Sequence, residues 1–444
     1  MTFPHAKDLA HRRQFRFGAL LCLAFAGCAS ESPLSGPSVA EPAPPPDIEL
    51  PGTVVVRSAS ALSQLVTSGD NRPIPLIREA IASDRRAGSP ASTASATMTA
   101  EVKLSLDVEV RPPVVNGAQL QATHIAMNGE WAYVTYAQIG EGTIGAVDAF
   151  VVSGTSEVKL VARATFTNTE YYGVAFASNL LYLVGASSDP ALKERAVLDV
   201  VALEGGAFSE KLVVKRVPLP SYAGTGVHVQ GGNVWVTSGS GGPNTGGVTV
   251  FSERNLSELS HERFEDARAV HGAGRYVVVF SGRPGRARVY DAERRSVLGR
   301  PVDVGGASIP ESKGTTWVEG DWAFLGAGDG GVKVISMTGD GAVVNGKGIP
   351  MPRVVNVAEA LSTTNAVASD GSGFLYAASG ETGVHVYSSN HRELKPGTSA
   401  SEPTIEPLGR LDFGSKISAN FVAANRERII VASGLGGLKI VRIQ

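Results

Sequence analysis

The sequence predicts an all-β fold, a seven-bladed β-propeller that is closed by an N-terminal strand and preceded by a signal peptide and a flexible tether. After residue 100, a unit of an apolar strand, a Gly-containing hairpin and another apolar strand occurs seven times. Successive units lie 43 to 54 residues apart, close to the length of a propeller blade. The 444 residues include 52 Gly and only 18% charged residues, which favours tight turns and strands over disorder or coiled coils.

Residues 1–27 have the pattern of an export signal. A basic stretch contains Lys7, Arg12, Arg13 and Arg16, and an apolar stretch follows at residues 19–27. This apolar stretch is shorter than the about 20 residues that a bilayer span needs. We therefore expect the segment to direct export and to be removed.

Cys28 follows Phe25-Ala26-Gly27, which resembles the lipobox of bacterial lipoproteins. The resemblance implies cleavage before Cys28 and acylation of its sulfur with a fatty acid such as palmitate. Ordinary secretion with an unmodified Cys28 is the alternative. Ala29 rather than Asp follows the cysteine, and by resemblance to sorting in two-membrane bacteria this favours the outer membrane or cell surface. The lipid is then the only predicted contact with a membrane.

Three segments follow the signal. Residues 28–52 are rich in Pro and Ser, which predicts an extended tether. Residues 53–100 form an N-terminal extension in which a short helix is predicted from Pro75, because Leu76, Ile77, Ala80 and Ile81 would share one helix face. The propeller is predicted over residues 101–444.

Second strands of the seven blades are predicted around one large apolar residue each: Tyr133, Tyr182, Trp235, Val278, Phe324, Tyr376 and Ile430. The last copy ends after its third strand, so its fourth strand must come from elsewhere. Residues 102–110 alternate apolar and polar side chains with a period of two. We expect this segment to complete the last blade, which would leave no open edge where the ring closes.

The third strands carry a resemblance to a known family. The segments concerned are Gly437-Leu438-Lys439-Ile440-Val441, Gly331-Val332-Lys333-Val334-Ile335 and Arg288-Val289-Tyr290-Asp291. They resemble the repeats of the LVIVD-repeat family of bacterial exported β-propeller lipoproteins, over about residues 100–444. The resemblance implies a propeller at the cell surface and brings no catalytic residues.

Motifs of known chemistry are missing from the sequence. It contains no nucleophile elbow, zinc-binding HExxH helix, P-loop or EF-hand calcium loop, so no catalytic residue and no cofactor are predicted. The net charge of −2 argues against a nucleic-acid partner, because phosphate binding needs clustered Lys and Arg.

Three histidines are candidate ligands for a divalent metal in the central channel. His228 and His271 each precede a second-strand centre by seven residues, and His124 precedes its own by nine. Imidazoles near a propeller axis can bind zinc or a similar ion. The alternative is that each histidine is a hydrogen-bonded residue that lines the channel.

Loops that lead from a fourth strand into the next first strand converge at one end of the channel, together with the hairpins at Glu141, Arg283, Asp329 and Glu381. Candidate ligand-binding residues in these loops are Tyr171, Tyr172, Tyr222, Arg268, Lys313, Asn365 and Asn420. A concave mouth with a few polar groups is the usual place for a ligand, although these could be ordinary loop residues. The predicted function is a surface-exposed, lipid-anchored module that binds a protein or glycan or acts as a scaffold. The alternatives are an exported propeller enzyme, such as a lactonase or other hydrolase, and a purely structural envelope protein.

Overall fold

A computed structural model describes residues 42–78, 102–153, 157–239, 246–283, 285–309, 313–338, 341–344, 348–350, 357–358, 361–394 and 402–444. The predicted signal peptide, Cys28 and residues 28–41 of the predicted tether lie outside these ranges. Among the described residues, no helix is both long and apolar enough to cross a membrane.

The N-terminal part of the described chain contains short elements. They are β1 (Asp47–Ile48), β2 (Val54–Val56), the helix α1 (Ala59–Ser63) and β3 (Val66–Pro73). Before the first blade come β4 (Leu104–Val110) and a small hairpin of β5 (Val114–Val115) and β6 (Ala118–Gln119).

Seven antiparallel sheets form the blades of the propeller. The four strands of each blade are given below in order from the channel outward. Blade 1 consists of β7 (Gln121–Asn128), β8 (Trp131–Ala137), β9 (Gly145–Val151) and β10 (Lys159–Phe166). Blade 2 consists of β11 (Thr169–Ala177), β12 (Leu180–Ser187), β13 (Ala196–Ala202) and β14 (Val214–Pro218). Blade 3 consists of β15 (Ala223–Gln230), β16 (Asn233–Gly239), β17 (Gly247–Ser252) and β18 (Glu258–Glu262).

The second half of the ring repeats this order. Blade 4 consists of β19 (Ala267–Ala273), β20 (Tyr276–Ser281), β21 (Arg286–Asp291) and β22 (Ser296–Asp303). Blade 5 consists of β23 (Thr315–Glu319), β24 (Trp322–Gly326), β25 (Val332–Thr338) and β26 (Gly341–Val344). Blade 6 consists of β27 (Ala366–Ser369), β28 (Phe374–Ala378), β29 (Val384–Ser389) and β30 (Ile405–Leu411), with a 3₁₀ turn at His391–Glu393. Blade 7 consists of β31 (Phe421–Ala424), β32 (Arg428–Ala432), β33 (Leu438–Ile443) and β4.

The predicted seven-bladed propeller is confirmed, including its closure. All seven predicted centres lie on second strands, and β4 pairs antiparallel with β33, with Val110 opposite Leu438 and Leu104 opposite Ile443. The second-strand centres Tyr133, Trp235 and Phe324 are fully buried. Neighbouring blades pack face to face, which explains why these strands are apolar on both sides.

Residues 42–78, here called the N-terminal belt, run along the outer rim of the ring. β1 adds a fifth strand to blade 2 through β14, and β2 adds one to blade 1 through β10. β3 pairs with β4 of blade 7, and Ile77 forms a bridge with Arg410 of blade 6. The belt therefore covers the outer edges of four successive blades.

The belt corrects two expectations from the sequence, the end of the tether and the position of a helix. Residues 42–52, which were predicted to belong to the tether, lie against the propeller, and Leu50 is buried there. The helix predicted from Pro75 is wrong for the described residues 75–78, which are extended. Ile74 and Leu76 pack instead on the core between blades 6 and 7, and the helix in the described part of the extension is α1.

The two ends of the ring differ in their connections. The mouth face carries the loops between fourth and first strands and the hairpins between second and third strands. For example, Arg283 in the hairpin between β20 and β21 has its Nε 3.4 Å from Oδ2 of Asp266, which lies in the loop between β18 and β19. The turn face carries the remaining turns, where Ser178 Oγ donates to Glu253 Oε1 at 2.7 Å. The belt begins at the turn face, because Asn255 Nδ2 of the turn between β17 and β18 donates to the Pro42 carbonyl at 2.8 Å.

Candidate functional site

The first strands of blades 1 to 4 each contain a β-bulge close to the mouth face. The bulged residues are equivalent to each other and are Thr123, Tyr172, Thr225 and Arg268. A bulge leaves one residue unpaired and redirects its side chain. Two of the predicted ligand-binding residues, Tyr172 and Arg268, therefore occupy a position that the fold itself sets apart.

Several polar side chains at the mouth connect one blade to the next. Thr123 Oγ1 donates to the Tyr171 carbonyl at 3.0 Å, and Thr225 Oγ1 donates to the Ala267 carbonyl at 2.8 Å. Asn365 Nδ2 donates to the Ala419 carbonyl at 3.3 Å. Asn420 Nδ2 lies 3.5 Å from the Ala122 carbonyl. Both asparagines are buried. They hold neighbouring blades together, whereas the sequence analysis predicted that they would face a ligand.

Tyr171 was also predicted at the ligand-binding face, and the structure corrects this. Neighbouring strand residues point to opposite sides, so Tyr171 is fully buried while Tyr172 reaches the mouth. The Tyr171 hydroxyl donates to Asp199 Oδ2 at 2.7 Å. Arg216 donates to both oxygens of the same carboxylate, at 2.8 Å from Nε and 2.7 Å from Nη2. Tyr171 is therefore part of a buried polar network within blade 2.

A cluster of four polar side chains lies where blades 2 and 3 meet the mouth face. The Tyr172 hydroxyl donates to Glu170 Oε1. Arg195 Nη1 donates to the hydroxyl of Tyr222 at 2.7 Å, and its guanidinium carbon lies 4.9 Å from that ring's centroid. Glu170 is buried, whereas Tyr222 is 51% exposed. Sequence reasoning missed Glu170 and Arg195, because neither belongs to a motif.

The carboxyl of Glu170 links stability to pH. Burial raises its pKa from 4.5 to about 7, so the folded chain favours the protonated form. Protonated Glu170 therefore contributes to the stability of the folded chain. This contribution is complete below the ordinary pKa of 4.5 and is lost as the pH rises through about 7. At about pH 8 we expect Glu170→Gln to be more stable than the parent chain by on the order of 2 kcal/mol.

Thermal unfolding of both chains at about pH 5 and about pH 8 measures this effect. Glu141→Gln is the matched control, because Glu141 is an exposed carboxyl on the same face and should change little at either pH. Melting temperatures of parent and Glu170→Gln that fall in parallel between the two pH values would contradict the role of Glu170.

Arg268 is held by an acidic neighbour. Its Nη2 donates to Asp266 Oδ2 at 2.8 Å, and Arg283 approaches the same oxygen. Arg268 is itself mostly buried at its bulge. The three residues form a charged cluster on blade 4 at the mouth face.

Lys313 reaches across the channel. Its Nζ, which belongs to the chain entering blade 5, donates to the Thr123 carbonyl of blade 1 at 3.0 Å. Burial lowers the pKa of the Lys313 amine to about 7. Part of the side chain nevertheless remains accessible, as expected for a group inside a channel.

The three channel histidines occupy two levels. The rings of His228 and His271 have centroids 4.9 Å apart, and the His271 ring stacks on Trp317 at 4.6 Å. The His124 ring packs on Phe421 at 3.9 Å. Sequence spacing correctly placed His228 and His271 at equivalent positions, opposite Trp235 and Val278.

Burial favours the neutral form of all three histidines, and the side chains of His271 and His228 have hydrogen-bond partners in the protein. Burial lowers the pKa of His228 to about 4, and burial together with Lys313 lowers the pKa of His124 to about 3. Burial also holds the pKa of His271 well below its ordinary value. His271 Nδ1 accepts the Val318 N–H at 3.0 Å, and His228 Nε2 lies 3.1 Å from Gln230 Oε1. Within the described ranges, no three His, Cys, Asp or Glu side chains come together as metal ligands.

Exposed apolar side chains concentrate at the mouth face. Eight large apolar residues are exposed in the described part of the chain, and five of them lie at this face: Val114, Ile139, Tyr222, Leu361 and Leu435. The other three, Val54, Leu259 and Val297, lie on outer strands. Four of the five follow the rim across blades 6, 7 and 1, and we call Leu361, Leu435, Val114 and Ile139 the apolar arc. The hairpin that carries Val114 contacts the loop that carries Leu435, because Gln119 Nε2 of this hairpin donates to the Leu435 carbonyl at 3.0 Å.

Comparison with known proteins finds similar solved structures at low sequence identity. No protein-family model matches the chain, and no curated protein matches it. A solved structure of hydrazine synthase from Kuenenia stuttgartiensis is similar, with a TM-score of 0.50, 13% identity and coverage of 74% of this chain and 99% of that chain. The WD40 β-propeller domain of Doa1 gives a TM-score of 0.46 at 15% identity over 74% of this chain and 95% of that one.

A third similar structure is virginiamycin B lyase from Staphylococcus aureus, with a TM-score of 0.48 and 12% identity. The match covers 78% of this chain and 99% of the lyase. At such identities the similarity concerns the fold alone. The activities named for these proteins are properties of those proteins.

Proposed function

We propose that this protein is an exported, lipid-anchored β-propeller whose mouth face binds a protein partner. The observation that carries the proposal is the concentration of exposed apolar side chains at that face. Large apolar residues grouped on one surface are typical of interaction sites. The turn face contributes none of the eight exposed large apolar residues in the described part of the chain.

The start of the belt bears on the proposed lipid anchor. Pro42, the first described residue, lies at the turn face of blade 3, where its carbonyl accepts a hydrogen bond from Asn255 Nδ2. Cys28, the proposed lipidation site, precedes Pro42 by 14 residues, which extended chain would span with at most about 50 Å. A lipid on Cys28 would then tether the propeller to the outer membrane through the segment that precedes Pro42.

The chemistry of the mouth favours a protein over a glycan. The apolar arc is built from aliphatic side chains, which pack well on apolar protein surface. Tyr222 and Arg195 lie on the same face, and Tyr and Arg are frequent anchors of protein interfaces. The predicted resemblance to the LVIVD-repeat family also implies a surface location and remains a prediction. The enzyme alternative has no specific observation in its favour among the described residues.

Substitution within the apolar arc tests the proposal. A Leu361→Ser, Leu435→Ser double variant removes two exposed side chains on neighbouring blades. We expect cross-linking of intact cells to capture the partner at least tenfold less with this variant, because interface energy is concentrated in a few apolar anchors. The melting temperature should not change, since exposed substitutions typically alter stability by less than about 0.5 kcal/mol.

The matched control is a Leu259→Ser, Val297→Ser variant, which removes two exposed side chains from outer strands. It should leave cross-linking intact. In the same cells, Cys28→Ser should release the protein from the membrane fraction. Cross-links that map to the outer strands or the turn face would contradict the binding surface, whereas retention of Cys28→Ser at the membrane would contradict only the anchor.

A further inference from the structure

A cavity of about 310 Å³ lies between the N-terminal belt and blade 2. One wall is the belt where it crosses from β1 to β2, and the other wall is the connection from β13 to β14. The lining residues are Glu49, Leu50, Thr53 and Val55 of the belt and Glu210, Lys211 and Leu212 of blade 2. Sites for small molecules typically have volumes of about 300–1,000 Å³. The cavity is therefore large enough for a small organic ligand.

Both walls of the cavity are held in place by their own contacts. In the belt, Thr53 Oγ1 donates to the Leu50 carbonyl at 2.8 Å, which fixes the turn between β1 and β2. In blade 2, Ser209 Oγ donates to the Lys211 carbonyl at 2.8 Å. The Nζ atom of Lys211 also contacts Glu49 Oε1 of the belt at 2.5 Å. The cavity is thus formed by the folded chain itself, and a ligand would not have to open it.

The inner part of the cavity is apolar. Leu50 and Leu212 are buried and belong to the core between blades 1 and 2, and Val55 packs against that core. Hydrocarbon groups that leave water for such a surface are stabilised by the hydrophobic effect. The inner part of the cavity therefore suits the aliphatic portion of a ligand, whereas its charged residues lie at the rim.

The rim carries a carboxylate that is not matched by a cation. Three ion pairs connect the belt with blade 2, and they are Asp47 with Lys215 at 2.9 Å, Glu49 with Lys211 at 2.5 Å and Arg57 with Glu204 at 3.6 Å. Glu210 is a further carboxylate of this region. Among the described residues, no Lys or Arg lies within ion-pair distance of Glu210. Because Lys211 is already engaged by Glu49, the rim has one negative charge left for a cation.

We propose that this cavity binds an aliphatic primary amine, with its ammonium group on Glu210 and its hydrocarbon chain over Leu50 and Leu212. A hydrogen bond between an ammonium group and a carboxylate is stronger than one between neutral groups. An anionic ligand would be repelled by Glu210, and an uncharged one would leave that charge unmatched. A free amine and a lysine side chain of another protein share the required chemistry. The site lies on the outer side of blade 2 and does not involve the apolar arc.

Calorimetric titration of the whole protein with butylammonium tests the site. We expect Glu210→Gln to weaken binding by at least about fivefold, because the charge-assisted hydrogen bond is lost. Glu210 is exposed, so this substitution should not disturb folding. Glu204→Gln is the matched control, since Glu204 lies in the same connection but does not line the cavity, and it should bind like the parent. Val55→Phe keeps every charge and fills the cavity, so it should also weaken binding.

Further probes separate the two ends of the ligand and its two sources. From methylammonium to butylammonium, affinity should rise by up to about fourfold for each added methylene group, whereas butyrate should bind far more weakly. Acetyl-lysine methylamide that binds as well as butylammonium would identify a protein lysine as the occupant, and weaker binding would identify a free amine. The proposal is overturned if butylammonium gives no heat at millimolar concentration, if Glu210→Gln binds it like the parent, or if butyrate binds equally well. None of these results depends on the apolar arc, so the two proposals fail independently.

Discussion

A chain that begins at residue 112 is expected to aggregate or to melt far below a chain that begins at residue 42. The shorter chain lacks β4, whose Leu104, Leu106, Val108 and Val110 are all buried in the core. Each such side chain contributes about 1.5–3 kcal/mol, and each lost strand hydrogen bond about 0.5–1.5 kcal/mol. Together these losses match the about 5–15 kcal/mol that holds a typical domain folded. The edge of β33 would also be left open for pairing with other chains.

A third chain, which begins at residue 79, separates the closing strand from the belt. It keeps β4 and loses only β1 to β3 and α1, so we expect it to remain a folded monomer with a lower melting temperature. Size-exclusion chromatography and thermal unfolding compare the three chains. A peptide of residues 102–113 should rescue the chain that begins at residue 112. Equal melting temperatures for the chains starting at residues 42 and 112 would show that β4 does not close the ring.

The second large effect is expected from Asp199→Ala, in the buried network of blade 2. Asp199 is fully buried and accepts hydrogen bonds from Arg216 and Tyr171. Removing the carboxylate leaves the buried Arg216 charge without its ion-pair partner. It also leaves the Tyr171 hydroxyl without its hydrogen-bond acceptor. Breaking a buried ion pair in this way costs about 3–5 kcal/mol. Denaturant unfolding of the two chains measures the difference directly.

The control for this substitution is Asp303→Ala. Asp303 forms an ion pair with Arg286 at 3.1 Å, but its side chain is 80% exposed and that of Arg286 is 49% exposed. Exposed pairs contribute about 0–1 kcal/mol, so this variant should unfold almost like the parent. Asp199→Leu combined with Arg216→Met should recover much of the loss, since it removes both charges. Equal destabilisation by Asp199→Ala and Asp303→Ala would contradict this account.

The propeller could be predicted because its information is repeated. Each blade presents the same short apolar strands, so seven weak signals support one architecture, and the alternation of residues 102–110 indicated the closing strand. The belt gave no such signal. β1 is the dipeptide Asp47–Ile48 in a Pro-rich stretch, and only the edge of β14 makes it a strand. Ile77 is likewise extended because it pairs with Arg410.

The candidate site was predicted less well, because its geometry depends on single-residue details. Tyr171 and Tyr172 are neighbours in sequence, yet the strand sends one into the core and the bulge brings the other to the mouth. The bulges themselves follow from register between strands, which a sequence does not display. Lys313 was identified as a mouth residue. Its contact with Thr123 was not, because the two residues are 190 positions apart in the sequence. Glu170 was missed because its importance comes from burial.

Blade 7 also sets the order in which the molecule can assemble. Its outer strand, β4, is synthesised before any other blade strand, whereas its other three strands come last. At the junction, Gln444 Nε2 donates to Ser105 Oγ across 339 residues of chain. Contacts so distant in sequence form slowly, because most of the chain must be ordered before they can be made. A growing chain can pair β4 with β3, but the other edge of β4 waits for β33 until the last residues have emerged, and the interval before ring closure is when the chain is most exposed to misassembly.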